Sequence, residues 1–304
     1  MGYKSVHTYE KYAIIPIFCI FLFIIVEVFK SGAFQTQPMG TGITEAGDVL
    51  SFGSAITGFG IGWAAFAADY NVMQPETRDP WKVFFATWAG ILAALLFVQF
   101  IGVASAMAVL STPRFRDAYG TNSIGGLVGE ILKPLSGCLQ KLSLALLAFS
   151  IISNNVPNNY SFALSMQVFG GPFLKTPRWL WTIVGGLVYI ALAIPGSTRF
   201  ETALENLLNM TAYWLSIYTV IITEEHFIFR QGGSGYHLDN WNDRSRLPIG
   251  FAALLALCCG IFGAILGMNQ AWYTGIIAKH IGKNGGDIGF ELAAMYDVTD
   301  DHTT

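Results

Sequence analysis

Charge is what this sequence has least of. Asp, Glu, Lys and Arg make up 12% of its 304 residues, about half the share usual in soluble domains. A chain so poor in charge cannot clothe a large water-facing surface. It offers no basic patch for a nucleic acid polymer, and its net charge is -3. Cysteine is scarce too. Cys19, Cys138, Cys258 and Cys259 make neither a CxxC nor a Cys/His metal spacing, so they read as small packing residues. There is no GxSxG, no P-loop and no defensible Cys/His nucleophile pair, which argues against an enzyme. Glu224-Glu225-His226 lacks the HExxH spacing, so no metal site is expected. Nor is a signal peptide expected: Met1 to Lys11 is polar, and the first apolar run is long enough to span a membrane.

What the chain has is hydrocarbon: 53% of residues are hydrophobic. Seven apolar runs stand out, at residues 12–29, 51–70, 83–110, 139–169, 179–194, 207–222 and 249–268. Most approach or exceed the roughly 20 residues a helix needs to cross a bilayer, and they are continuous rather than alternating. The predicted class is an all-α polytopic membrane protein, a single transmembrane domain over residues 1–304 with a polar tail at 269–304. Gln37-Pro38-Met39-Gly40, Pro75 to Pro80, Pro113, Gly170-Gly171-Pro172, Pro195-Gly196 and Gln231 to Gly235 punctuate the runs. Lys and Arg number nine on the N-terminal side of this topology and seven on the other, a slight preference for a cytoplasmic N-terminus. Asp287 to Met295 begins like a helix and then turns acidic, so an eighth span is not expected.

One polar cluster interrupts the hydrocarbon. SNNVPNNYS, residues 153–161, places four asparagines and a proline inside the fourth run. Pro157 cannot donate a backbone hydrogen bond, and its ring crowds the Ser153 carbonyl; a local opening of the helix is predicted there. Carboxamides at that depth are tolerated beside protein or a wet cavity. They suit a neutral, planar, hydrogen-bonding solute. A proline kink held by asparagines packing on neighbouring helices is the competing reading. In the second run, Gly53, Gly58, Gly60 and Gly62 mark either close helix packing or a break. Trp63 lies about two turns inside Tyr70, where an indole makes a stacking platform. Two interrupted helices point to the mid-membrane site of a secondary transporter, with Ser153 a candidate for a cation. Glu27 and Asp69 are weaker candidates, more simply read as reaching the interface or a loop.

The stretches GFGIGWAAFAADYN (58–71), SNNVPNNYSFALSMQVFG (153–170) and LGMNQAWYTGIIAKHIGKNGGDIGFELA (266–293) resemble the fungal purine–cytosine permeases of the nucleobase:cation symporter family 1. The resemblance runs from about Tyr9 to Ala293. It implies an inverted-repeat bundle of which this chain carries an incomplete set, about seven transmembrane helices matching helices five to eleven. It also implies uptake of cytosine, adenine, guanine and hypoxanthine, coupled to protons, with no other cofactor, in the plasma membrane. By that resemblance Trp63 stacks on the base and Asn158 hydrogen-bonds it. Asn154, Asn155 and Pro157 shape the helix, and Ser153 contributes to a cation site. Nothing in the sequence matches helices one to four, and YDVTDDHTT replaces the apolar twelfth helix. The alternative expectation is a non-transporting fragment or assembly partner of an intact permease, retained in the endoplasmic reticulum.

Overall fold

The computed structural model describes residues 3–35, 40–71, 74–75, 77–233, 235–236 and 250–301. The turn signal at Gln37 to Met39 lies outside these residues, as do Arg244 and Arg246 of the orientation count. The chain divides into two compact units. One is Met1–Pro38 with Pro75–Tyr189; the other is Met39–Gln74 with Ile190–Thr304.

In the first unit, α1 (Tyr3–Lys30), α4 (Pro80–Ser111), α5 (Pro113–Ile131) and α6 (Gly137–Val168) carry most of the chain. Their boundaries follow from local chemistry. The Asp79 carboxylate accepts the Trp81 N–H at 3.0 Å, with Pro80 in the first turn, a combination that meets the unpaired donors of a helix start. Thr112 is extended (φ -126°, ψ 120°), as the residue before Pro113 must be. That corner ends α4 and begins α5. α5 bends at Asn122 and Ser123, where φ reaches 53°. Ile20, Ile24 and Val28 form one stripe of α1, and they pack with Ile101, Ala104 and Ala108 of α4 and with Phe115, Leu127 and Ile131 of α5. Leu22, Val26 and Phe29, on other sides of α1, stay exposed. A helix apolar all round with one narrow packed stripe suits lipid on its remaining faces.

The second unit contains α2 (Ile43–Ile61), a 3₁₀ segment at Gly62–Phe66, α3 (Ala67–Asn71), α9 (Phe200–Glu224), α10 (Phe251–Gly267) and α11 (Gly289–Asp301). Asn269–Gln270 and Tyr273–Thr274 form a two-residue antiparallel hairpin after α10. Tyr213 and Ile217 of α9, Ala264 of α10, Met268 just after it, and Ala293 of α11 make the core. Close approach depends on missing side chains: a Cβ on Gly58 would sit 2.8 Å from the Ala212 Cβ, and one on Gly260 2.6 Å from Ile217. Gly53 has open space around it. α11 continues to Asp301, beyond the expected stop near Met295, because neither glycine nor proline follows Gly289 in that stretch. The two remaining helices in chain order are α7 (Gly171–Lys175) and α8 (Arg178–Gly196).

Helix runs through each of the seven apolar stretches. Among the described residues, four helical stretches are both long and apolar enough to cross a membrane: Lys11–Lys30, Pro80–Ser111, Gly137–Val168 and Arg178–Phe229.

Candidate functional site

The polar cluster sits within α6, and the helix passes through it without a break. The predicted opening at Pro157 is therefore not observed. Pro157 is buried, while Asn154 and Asn158 are exposed one turn apart. Asn158 turns its amide back along the helix, Nδ2 donating to the Asn154 carbonyl at 3.0 Å. That places a side-chain donor on the Asn154 carbonyl, next to the Ser153 carbonyl that the proline leaves without its N–H. Ser153 and Asn155 are half-buried. Asn159 and Phe162 face Gly185 of α8, where an added Cβ would meet Asn159 Oδ1 at 3.1 Å and the Phe162 ring at 2.8 Å. Asn159 thus belongs to a helix contact, while Asn154 and Asn158 present carboxamides outward. Packing on a neighbouring helix, the competing reading, holds for Asn159, while Asn154 and Asn158 are exposed.

Trp63 falls in the second unit, in the 3₁₀ segment, and is half-buried. Of the glycines of the second run, Gly58 packs against α9, and at Gly62 the chain passes into the 3₁₀ segment while keeping helical torsions, so no break is seen there. Asp69 lies in α3. Glu27, in the first unit, pairs with Lys30 at 3.4 Å. These two residues line a cavity of about 150 Å³ with Ser31, Arg114, Phe115, Glu130, Ile131 and Pro134. Arg114 and Lys133 both pair with Glu130. The hydrogen bond from Lys133, then that from Arg114, outweighs burial and holds the Glu130 carboxyl below the usual carboxylate range. In the Glu224-Glu225-His226 stretch, Glu225 pairs with Arg230 at 2.6 Å and the His226 ring lies against Tyr236.

One polar centre was not anticipated. Asp287 is fully buried, just before α11. Its Oδ2 accepts the Tyr213 hydroxyl, the Asn269 N–H at 2.8 Å and Gln270 Nε2 at 3.1 Å. Its Oδ1 accepts the Gly289 N–H at 3.0 Å, and its own N–H donates to Ser51 Oγ at 2.9 Å. The only sequence signal was an aspartate two residues before a helical glycine, the pattern of a helix cap.

These helices define an all-α polytopic membrane protein. Residues 1–282 match the family model described as permeases for cytosine/purines, uracil, thiamine and allantoin. The chain is 47% identical to the purine-cytosine permease fcyB of Emericella nidulans over 296 residues, covering 97% of this chain and 58% of that protein. It is 43% identical to the purine-cytosine permease FCY2 of Saccharomyces cerevisiae, covering 97% and 56%. It is 28% identical to the vitamin B6 transporter TPN1 of the same yeast, covering 97% and 59%. The chain belongs to this family of permeases, and it spans a little over half the length of these relatives. No solved structure matches it.

Proposed function

We propose that the protein serves nucleobase transport: it carries cytosine and purines across a membrane, the plasma membrane by family, by alternating access coupled to protons. By the family resemblance, the role proposed for Trp63 of the second unit is stacking on a flat base, and that for Asn158 of the first unit, supported by Asn154, Asn155 and Pro157, is hydrogen bonding to such a base. Ser153 contributes to the cation site. The observation that carries this reading is the pair of exposed carboxamides, Asn154 and Asn158, on an apolar helix long enough to span a membrane. A neutral amide presents donors and an acceptor without the cost of a charge in hydrocarbon, which fits an uncharged heterocycle. The family match and the names of the relatives add support from an independent direction.

The test is uptake of radiolabelled cytosine into cells lacking their own nucleobase permeases and expressing this protein. Uptake should be competed by adenine, guanine and hypoxanthine and diminished by a protonophore. Competition by pyridoxine alone overturns the substrate assignment in favour of a vitamin B6-type carrier. Absence of both uptake and cytosine binding in the same membranes overturns the reading as a whole.

A further inference from the structure

The centre around Asp287 holds more acid than its donors can serve. Four hydrogen bonds converge on the Asp287 carboxylate, from Tyr213, Asn269, Gln270 and Gly289. Among the described residues no Lys, Arg or His pairs with it. Donor N–H and O–H groups stabilise the charged form of a carboxylate and repel a metal cation. Four residues on, Glu291 stands in the first turn of α11. Its Oε2 is shut off from solvent and, among the described residues, has no hydrogen-bond partner, and the same is true of Oε1 of Gln270, which is 6% exposed. The amide of Gln270 is fixed within the centre, since its Nε2 donates to both Asp287 and the Tyr213 hydroxyl. Two shielded acceptors, Gln270 Oε1 within the centre and Glu291 Oε2 at the start of α11, thus lack a donor among the described residues.

A proton resolves this arrangement. Charged Glu291 would face the Asp287 charge across a site with no cation and would leave Oε2 unserved. Protonated Glu291 removes the repulsion and the cost of holding a charge on an oxygen shut off from water. We propose that Glu291 is a proton-binding site of the second unit: its carboxyl holds a proton while α11 is seated on α9 and α10, and releases it as α11 loosens. Desolvation outweighs a hydrogen bond from the residue's own backbone N–H and, with the neighbouring Asp287 charge, holds this carboxyl above its ordinary range. α9, packed on α11, brings Tyr213 to Asp287 and also carries Glu201, Glu205, Tyr218 and the buried Glu224; α2 brings Ser51 to Asp287 and carries Glu45 and Asp48; α10 carries no titratable side chain besides Cys258 and Cys259; Lys279, His280 and Lys283 of the connecting segment are exposed. A folded state that binds the extra proton is favoured at low pH. Its stability falls as pH rises from the ordinary carboxyl range through the raised one.

The experiment follows thermal unfolding of the full chain in lipid nanodiscs between about pH 4 and about pH 8, with an infrared titration of the same sample. The midpoint should fall by a few degrees as pH rises, and a protonated-carboxyl band should disappear over the same interval. In Glu291→Gln the fall with rising pH should be absent, and the band should be missing. A Glu291→Gln midpoint with the parent's slope, or an unchanged band, overturns the proposal. So does a midpoint that rises with sodium at fixed pH and ionic strength, because the oxygens would then hold a metal cation. Should the variant fail to fold, the infrared titration of the parent decides: no carboxyl losing a proton in that interval overturns the site. None of these readouts needs a substrate, so this site and the nucleobase reading fail separately.

Discussion

Asn158 and Asp287 are both polar residues among apolar neighbours, yet they do opposite work. Asn158 is exposed and has an oxygen to offer; Asp287 is buried and saturated. Asn158→Leu should keep α6 folded and weaken cytosine affinity by about tenfold to a hundredfold, the scale of a lost hydrogen bond to a desolvated ligand. Competition binding in membranes measures it. Asp287→Ala should cost about 3–5 kcal/mol by stranding several buried donors at once, read as a fall in unfolding midpoint, while Tyr213→Phe should cost about 1–2 kcal/mol. The asparagines were legible in the sequence because four amides beside a proline break an apolar run over nine residues. The aspartate's role was not, because its partners Gln270 and Tyr213 lie 17 and 74 residues away, and no local pattern links them.

Pro157 and the glycines of α2 set the character of their helices. Pro157→Ala restores a backbone donor within α6 and removes a helix penalty of up to about 3 kcal/mol. Thermal stability should rise while transport falls, a divergence that parallel unfolding and uptake assays detect. Gly58→Ala should destabilise the α2–α9 contact by about 1–3 kcal/mol, because the new methyl meets Ala212 at 2.8 Å. Gly53→Ala, with open space around it, should be neutral or stabilising by up to about 1 kcal/mol. Size-exclusion profiles after a heating series separate the two. The run of glycines announced packing or a break; packing occurs at Gly58, and at Gly62 the helix only tightens to 3₁₀ with its torsions still helical. Which glycine does which depends on α9, far along the chain, so spacing within the run could not assign them. The opening expected at Pro157 did not occur: the proline removes one N–H, and the helix on either side of it continues from Gly137 to Val168.

Each unit of the whole molecule is assembled from two separated segments, which is why the apolar runs gave the helices without giving the division. The two units also answer acid differently. Glu130, held low by Lys133 and Arg114, contributes stability above the ordinary carboxylate pKa and loses it as pH falls through its depressed value. Glu291 behaves in the reverse sense. Glu130→Gln should therefore flatten the acid limb of a stability–pH curve and leave the alkaline limb in place, as unfolding scans across pH would record. Beyond titration, the distribution of polarity is inverted relative to a water-soluble fold. Ser54, Asn209, Ser216, Gln270 and Asp287 are inside, while Trp81, Phe100, Trp179, Leu192 and Phe251 are outside. Water-driven collapse cannot distinguish the two sides of such helices when the solvent is itself oily. Small residues and fixed dipoles must then do the sorting, and the amphiphile chosen for extraction becomes a part of the protein's thermodynamics rather than a mere vehicle.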